Sequence, residues 1–326
     1  MQIESGRLSE EQIALFQQEG YFIADNVFDP VDLEPFRQHL EREIAVKIDE
    51  LVKDGKVENS HAEEALEQRL TRIYHDNKEN GREVLAHLAE TKGSVQQGRS
   101  VFDLIAHPKL SKAISSLVGP EIVVSAIYRI RPKIPGSGKG NVPWHQDSGY
   151  FVEHCDKHLI VTCWIPLVDA TVENGCMEIL PRSHKRGILK HYTGGNSGFL
   201  VVRDEDLPSD VPEKIAAECP VGGVVFMTNM TPHCSTPNSS DTIRWSVDLR
   251  FQSADIPNNI GLWPDRNEED AKANEQIACY PPEADFVVCS EKDPNSVATY
   301  ESFKARRSAF EPWGVENRPR VWAPLA

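Results

Sequence analysis

The run Thr242-Ile-Arg-Trp-Ser-Val-Asp-Leu-Arg-Phe251 constrains the fold more than any other stretch of this 326-residue chain. Ile243, Trp245, Val247 and Leu249 alternate with Arg244, Ser246, Asp248 and Arg250. Successive strand side chains point to opposite faces, so this is a strand with one apolar and one strongly polar face. An arginine turned toward the inside of a sheet structure is costly unless it meets an anion. Residues 122–130, 159–167 and 221–228 are further strand-length runs, rich in β-branched and aromatic residues. Residues 131–143, with their Pro and Gly, read as a loop. Strands separated by turn residues, without helices between them, predict a sandwich or barrel.

The first third predicts helices instead. Ser9 with Gln12 forms a capping-box signature, and Gly20 stops that helix. Asp29-Pro30 is an N-cap and N1 pair, followed by Leu33, Phe36, Leu40, Ile44, Ile48 and Leu51 at spacings of three and four. That stripe predicts a long amphipathic helix. Residues 58–92 are polar with weaker helical periodicity, and 101–117 predict one more helix closed by Gly119-Pro120. Residues 256–326 are punctuated by Trp263-Pro, Tyr280-Pro-Pro, Pro312-Trp-Gly and Val321-Trp-Ala-Pro, which reads as a loop-rich tail wrapped on the surface. A short basic helix over about 298–309 carries Arg306-Arg307. The expected organisation is a single domain over 1–326: a helical support (1–118), a strand-rich core (119–255) and a C-terminal extension (256–326).

A net charge of −15 argues against a nucleic-acid or anionic-membrane partner, which would be repelled at long range. A local cationic pocket for a small anion remains compatible with it. No apolar run reaches the ~20 residues of a membrane span, and the N-terminus lacks the apolar core of a signal peptide. The seven cysteines are scattered without a C-x-x-C pair. Reduced thiols in a cytoplasmic protein are the expectation.

The chemistry concentrates in Val142-Pro-Trp-His145-Gln-Asp147. In extended chain, residues two apart aim at one point, so His145 and Asp147 together suit a divalent metal. One more histidine would complete a two-histidine, one-carboxylate triad that leaves coordination positions open. His233 follows the Gly222-Gly223 strand, and eleven residues later come Arg244 and Ser246 on one strand face. A guanidinium plus a hydroxyl matches the distal carboxylate of a diacid. Among other candidates, His154 and His158 are expected to be exposed, and His184-Lys185 to be loop structure. Tyr150, Phe151 and Phe199 could wall a pocket or fill a core, and Arg131 and Lys133 could meet an acidic substrate.

With these residues in place, the sequence resembles the phytanoyl-CoA dioxygenase-like family of Fe(II)/2-oxoglutarate oxygenases. The resemblance spans most of 8–252. It runs through Leu8-Ser-Glu-Glu-Gln, Pro143-Trp-His-Gln-Asp, Glu173-Asn-Gly-Cys-Met-Glu-Ile-Leu-Pro-Arg-Ser-His184-Lys-Arg-Gly187, and the His233/Arg244 spacing. It implies a mainly β fold with flanking helices, a double-stranded β-helix (jelly-roll, cupin-like) barrel with a helical N-terminal region. It implies Fe(II) on His145, Asp147 and His233, and the 5-carboxylate of 2-oxoglutarate on Arg244 and Ser246. Gln146 and Trp164 would line the co-substrate or substrate pocket. The implied reaction consumes O2 and 2-oxoglutarate, releases succinate and CO2, and hydroxylates or otherwise oxidises a small-molecule substrate. A carboxylate at 147 points away from halogenation, for which relatives carry a small residue there. Arg182 departs from the family's usual Gly before Ser-His, and could reshape that loop or bring a cation near the pocket. Two other classes stay open: a non-catalytic cupin-like binding protein, and a zinc hydrolase, in which Arg244 has no evident role.

Overall fold

The computed structural model describes the chain except residues 5, 90–93, 126–127, 139, 196–197, 259, 261–284, 311–321 and 326. Its helices are α1 (Glu10–Glu19), α2 (Pro30–Lys53), α3 (Leu66–Asp76), α4 (Lys78–Ala89), α5 (Ser94–Gln97), α6 (Arg99–Ile105), α7 (Pro108–Val118) and α8 (Tyr300–Phe310). The first strands are β1 (Tyr21–Ala24), β2 (Ile122–Val124), β3 (Arg129–Ile130), β4 (Ile160–Pro166), β5 (Met177–Ile179) and β6 (Tyr192–Thr193). They are followed by β7 (Ile215–Ala217), β8 (Val224–Thr228), β9 (His233–Ser235), β10 (Ser246–Ser253), β11 (Phe286–Cys289) and β12 (Ala323–Pro324).

The major sheet runs β1-β8-β4-β10-β2-β11, with β3 also on β10, and its pairings are antiparallel. A smaller sheet, β7-β5-β9, is antiparallel as well. Together they form the jelly-roll barrel, flanked by helices. Both faces of the major sheet are covered. Val161, Cys163 and Ile165 of β4, with Val247, Leu249 and Phe251 of β10, pack into the same core as the α2 stripe. Leu33, Phe36, Leu40, Ile44, Ile48 and Leu51 are all buried there. Each such side chain contributes about 1.5–3 kcal/mol relative to an exposed one. Trp164 of β4 points the other way, into the space between the sheets, with Met177, Ile179, Val225 and Met227. Alternation therefore divides each long strand between a helix-facing core and the barrel interior.

The helix starts follow their caps. Ser9 accepts from the Gln12 amide, and the Asp32 side chain accepts from the Asp29 amide at 2.8 Å. The helix expected over 101–117 is two helices. Pro108 cannot continue α6 and instead begins α7, while His107 turns extended (φ −62°, ψ 128°) and caps it by accepting from Lys109 N. The C-terminal extension is likewise more than a surface wrap. Residues 286–289 form β11 on the edge of the major sheet, and Phe286, Val288 and Phe303 enter the main core. The basic helix is present as α8. Trp263-Pro, Tyr280-Pro-Pro and Pro312-Trp-Gly lie outside the described residues. Six of the cysteines are described, and all six are free. Among the described residues no helix is long and apolar enough to cross a membrane.

Arg182 does not bring a cation to the barrel interior. It keeps a left-handed backbone (φ 62°, ψ 5°), and its guanidinium pairs with Glu19 at 2.8 Å on the surface. An L-residue in that conformation costs about 1 kcal/mol, and an exposed ion pair returns about 0.2–1 kcal/mol. The two nearly cancel, so Arg182→Gly is expected to change unfolding free energy by less than about 1 kcal/mol. Urea denaturation checks this; a loss above twice that would mean the Glu19 contact holds the loop.

Candidate functional site

His145 and His233 lie far apart in the sequence and meet as neighbours in an isolated antiparallel bridge, exchanging backbone hydrogen bonds of 3.0 and 2.9 Å. Their rings lie 4.2 Å apart between centroids. Asp147 opens the short 3-10 turn Asp147–Tyr150, and His145 Nε2 is 3.9 Å from its Oδ1. One ligand atom from each of the three residues falls within 4.8 Å of the other two, and all three are buried. Among the described residues no other His, Cys, Asp or Glu group meets that condition.

The hydrogen bonds around the triad fix its protonation. His145 Nδ1 lies 2.9 Å from the Pro143 carbonyl, and His233 Nδ1 lies 3.0 Å from the Thr231 carbonyl. A carbonyl only accepts, so each Nδ1 carries the proton and each Nε2 keeps its lone pair, the arrangement a metal-binding histidine requires. Burial, with His233 beside it, pushes His145 down to about 3, so it is neutral at physiological pH. Burial opposes charge on Asp147, yet the Arg250 guanidinium bonded to it holds its carboxyl well below the usual range. Arg250 grips Asp147 with two bonds, Nη2 to Oδ1 at 3.0 Å and Nε to Oδ2 at 3.1 Å, and the Thr162 hydroxyl also donates to Oδ2. Two imidazoles that direct Nε2 away from their carbonyl partners, with one oriented carboxylate, are a donor set that fits a non-haem iron and leaves positions open.

His145, His233, Thr162, Trp164, Arg244, Asp248 and Arg250 line one cavity of about 240 Å³. Arg244 is 3% exposed, and its guanidinium lies 5.1 Å over the Trp164 ring and donates to the Ser246 hydroxyl. Its Nε is buried without a hydrogen-bond partner, and among the described residues it makes no ion pair. The neighbouring carboxylates are already committed. Asp248 pairs with Arg131 at 2.8 Å and Arg250 at 3.0 Å, and Asp147 pairs with Arg250. The cavity therefore presents a guanidinium in want of an anion beside a metal-competent triad.

Of the residues anticipated for the pocket, Trp164 lines it and Gln146 does not. Gln146 is fully buried: its amide donates to the Gly187 and Met230 carbonyls and accepts from Leu189 N. In a chain that sends 145 and 147 inward, 146 must point outward, so it pins the loop from behind. Ser246 stands behind Arg244 as its acceptor rather than on the cavity wall. Arg250, Thr162 and Ser235 are the residues not anticipated. Their signal was parity: 250 with 244, 162 with 164, and 235 with 233. Phe151 is core, while Tyr150 sits 5.9 Å from the His145 ring and its hydroxyl accepts from Leu200 N. His184 packs against α1, with Nε2 3.2 Å from the Gln17 carbonyl. The side chain of His154 lies outside the described residues.

Two contacts hold the His145–Asp147 loop from outside. His191 Nε2 accepts the Gln146 N–H at 3.0 Å, between His145 and Asp147, and Trp322 lies against His191 and donates to the Gly149 carbonyl at 2.8 Å. The Asn174-Gly175 turn roofs the opposite side. Gly175 has φ +84°, and a Cβ there would lie 2.7 Å from the Thr236 carbonyl and 2.8 Å from the Lys133 stem. Gly175→Ala is therefore expected to destabilise the fold by at least about 2 kcal/mol, through backbone strain and overpacking together. A thermal or urea midpoint equal to that of the parent would contradict this.

A family model, Phytanoyl-CoA dioxygenase (PhyH), matches residues 16–246. The peroxisomal phytanoyl-CoA dioxygenase of Homo sapiens is 23% identical over 264 residues, covering 78% of this chain and 71% of that protein. A probable phytanoyl-CoA dioxygenase of Caenorhabditis elegans is 27% identical over 267 residues, covering 78% of each. Among solved structures, the non-heme monooxygenase ThoJ superposes with a TM-score of 0.55 at 18% identity, covering 92% of this chain and 95% of its own. The non-heme alpha ketoglutarate dependent carbocyclase SnoK, from nogalamycin biosynthesis, gives 0.50 at 22% identity, covering 78% and 87%.

Proposed function

The chain belongs to the phytanoyl-CoA dioxygenase family, and on that premise we propose that it is an Fe(II)- and 2-oxoglutarate-dependent dioxygenase oxidising an unactivated C–H bond of a small organic molecule. One observation carries this reading: His145, Asp147 and His233 converge on one point while Arg244, buried and without an ion-pair partner among the described residues, shares the cavity that His145 and His233 line. Iron, when bound, supplies the activation of O2 that couples 2-oxoglutarate decarboxylation, to succinate and CO2, with substrate oxidation. The protein residues do the rest. His145 and His233 present Nε2 lone pairs because their Nδ1 protons are tied to carbonyls. Arg250 and Thr162 hold the Asp147 carboxylate charged and oriented. Arg244 neutralises the distal carboxylate of the diacid, and Trp164 backs its guanidinium. A zinc hydrolase would leave Arg244 without a task, and a passive binding module has no need of His145, Asp147, His233 and Arg244 together.

Anaerobic thermal unfolding tests this before any substrate is known. 2-Oxoglutarate should raise the Tm of Fe(II)-loaded protein, by mass action worth about 2.7 kcal/mol at a hundredfold excess over Kd. Under air, a screened substrate should then yield succinate in proportion to O2 consumed. No thermal shift and no succinate with any candidate would overturn the reading.

A further inference from the structure

Arg244 is not the only buried basic side chain that lines the cavity without an ion pair among the described residues. Lys133 is 1% exposed, lines the same cavity and faces Arg244 across an isolated antiparallel bridge. The pair exchanges both backbone hydrogen bonds, Lys133 N to Arg244 O at 3.0 Å and Arg244 N to Lys133 O at 3.3 Å. Residues directly opposite in such a pair project to one face, with Cα atoms about 5.5 Å apart. Like charges placed that way repel.

No ion pair among the described residues relieves that repulsion. Neither Lys133 nor Arg244 makes an ion pair among the described residues, and Asp147 and Asp248 are held by Arg250 and Arg131. The other titratable groups near Lys133 are the thiols of Cys176 on the Gly175 turn and Cys234 on β9; burial raises the first to about 11, and the second donates to Glu178. Burial, and then Arg244, push Lys133 itself down to about 7. The stem is clamped beneath Gly175, and Nζ donates to the Ser235 hydroxyl at 2.9 Å and to the Thr236 carbonyl. Two of its three N–H donors are spent on these described partners, on a side chain whose freedom is already lost.

Resting on the reading of this cavity as a diacid site, we infer that Lys133 is a specificity-determining residue: a second cation that, with Arg244, selects a co-substrate bearing a carboxylate at its far end. A buried amine beside a buried guanidinium, with no ion-pair partner among the described residues, is costly to charge until an anion enters. Lys133 therefore contributes to discrimination against a monoacid of the same length more than to holding the chelating end.

Anaerobic calorimetry on Fe(II)-loaded protein, comparing 2-oxoglutarate with 2-oxopentanoate, tests this. The second ligand keeps the keto acid and lacks the distal carboxylate. Lys133→Met should reduce the preference for the diacid about tenfold or more, the worth of a charge-assisted hydrogen bond, and leave 2-oxopentanoate affinity within about twofold. Arg244→Met should also lose the preference. If Lys133→Met does not fold, Lys133→Arg should keep the preference and Lys133→Gln should lose it. An unchanged preference, or equal weakening of both ligands, makes Lys133 a strut and overturns the inference alone. Failure of the parent protein to bind 2-oxoglutarate overturns the diacid reading itself, and the inference with it.

Discussion

Alanine at His145 or at Asp147 is expected to abolish turnover, but the two variants should differ in stability. His145→Ala removes one iron donor and leaves the Asp147–Arg250 pair intact. Asp147→Ala removes the donor and also takes away the carboxylate on which Arg250 Nε and Nη2 spend their bonds, leaving only Nη1 on Asp248. Asp147 and Arg250 are 1% and 8% exposed, so water replaces those two bonds poorly. Breaking a buried pair by deleting one partner costs about 3–5 kcal/mol. Asp147→Ala should therefore unfold at markedly lower urea than His145→Ala, and both should lose bound iron. Denaturation midpoints with metal analysis check this. Parental turnover in either variant would refute the ligand assignment, and equal midpoints would refute the role given to Arg250.

Arg244→Ala is the second large effect. It should raise the KM for 2-oxoglutarate by at least about thirtyfold, because deleting one partner of a buried charge pair costs about 2–5 kcal/mol. The KM for the oxidised substrate should move far less. Arg244→Lys should restore little, since the guanidinium is positioned both by the Trp164 face and by the Ser246 hydroxyl, and an ammonium cannot reproduce both contacts. Steady-state kinetics at saturating substrate separate these outcomes. An unchanged 2-oxoglutarate requirement would place the anion elsewhere.

Much of this arrangement was legible in the residues. The alternation over 242–251 placed Arg244 and Arg250 on one face and Trp245 and Leu249 on the other, although regular pairing with β4 begins only at Ser246. The α2 stripe and its Asp29-Pro30 start needed no tertiary information. What alternation could not give was which arginine meets which anion. Arg250 serves Asp147, a residue 103 positions away in sequence, and only the folded sheet brings them together. Gln146 shows the opposite failure. Its parity already sent it away from the cavity, and the family motif suggested otherwise. The Phe286–Cys289 strand was hidden because its partner β2 lies over 160 residues upstream and the surrounding tail is proline-punctuated. The split between α6 and α7 was readable from Pro108, but the apolar residues either side of it suggested continuity.

The most direct measurement is the anomalous diffraction of Mn(II) in crystals grown with 2-oxoglutarate under anaerobic conditions. The account predicts one manganese peak bonded to His145 Nε2, Asp147 and His233 Nε2, with the diacid chelating it and its distal carboxylate on Arg244. Metal bound elsewhere, or a diacid whose distal end lies away from Arg244, would contradict it.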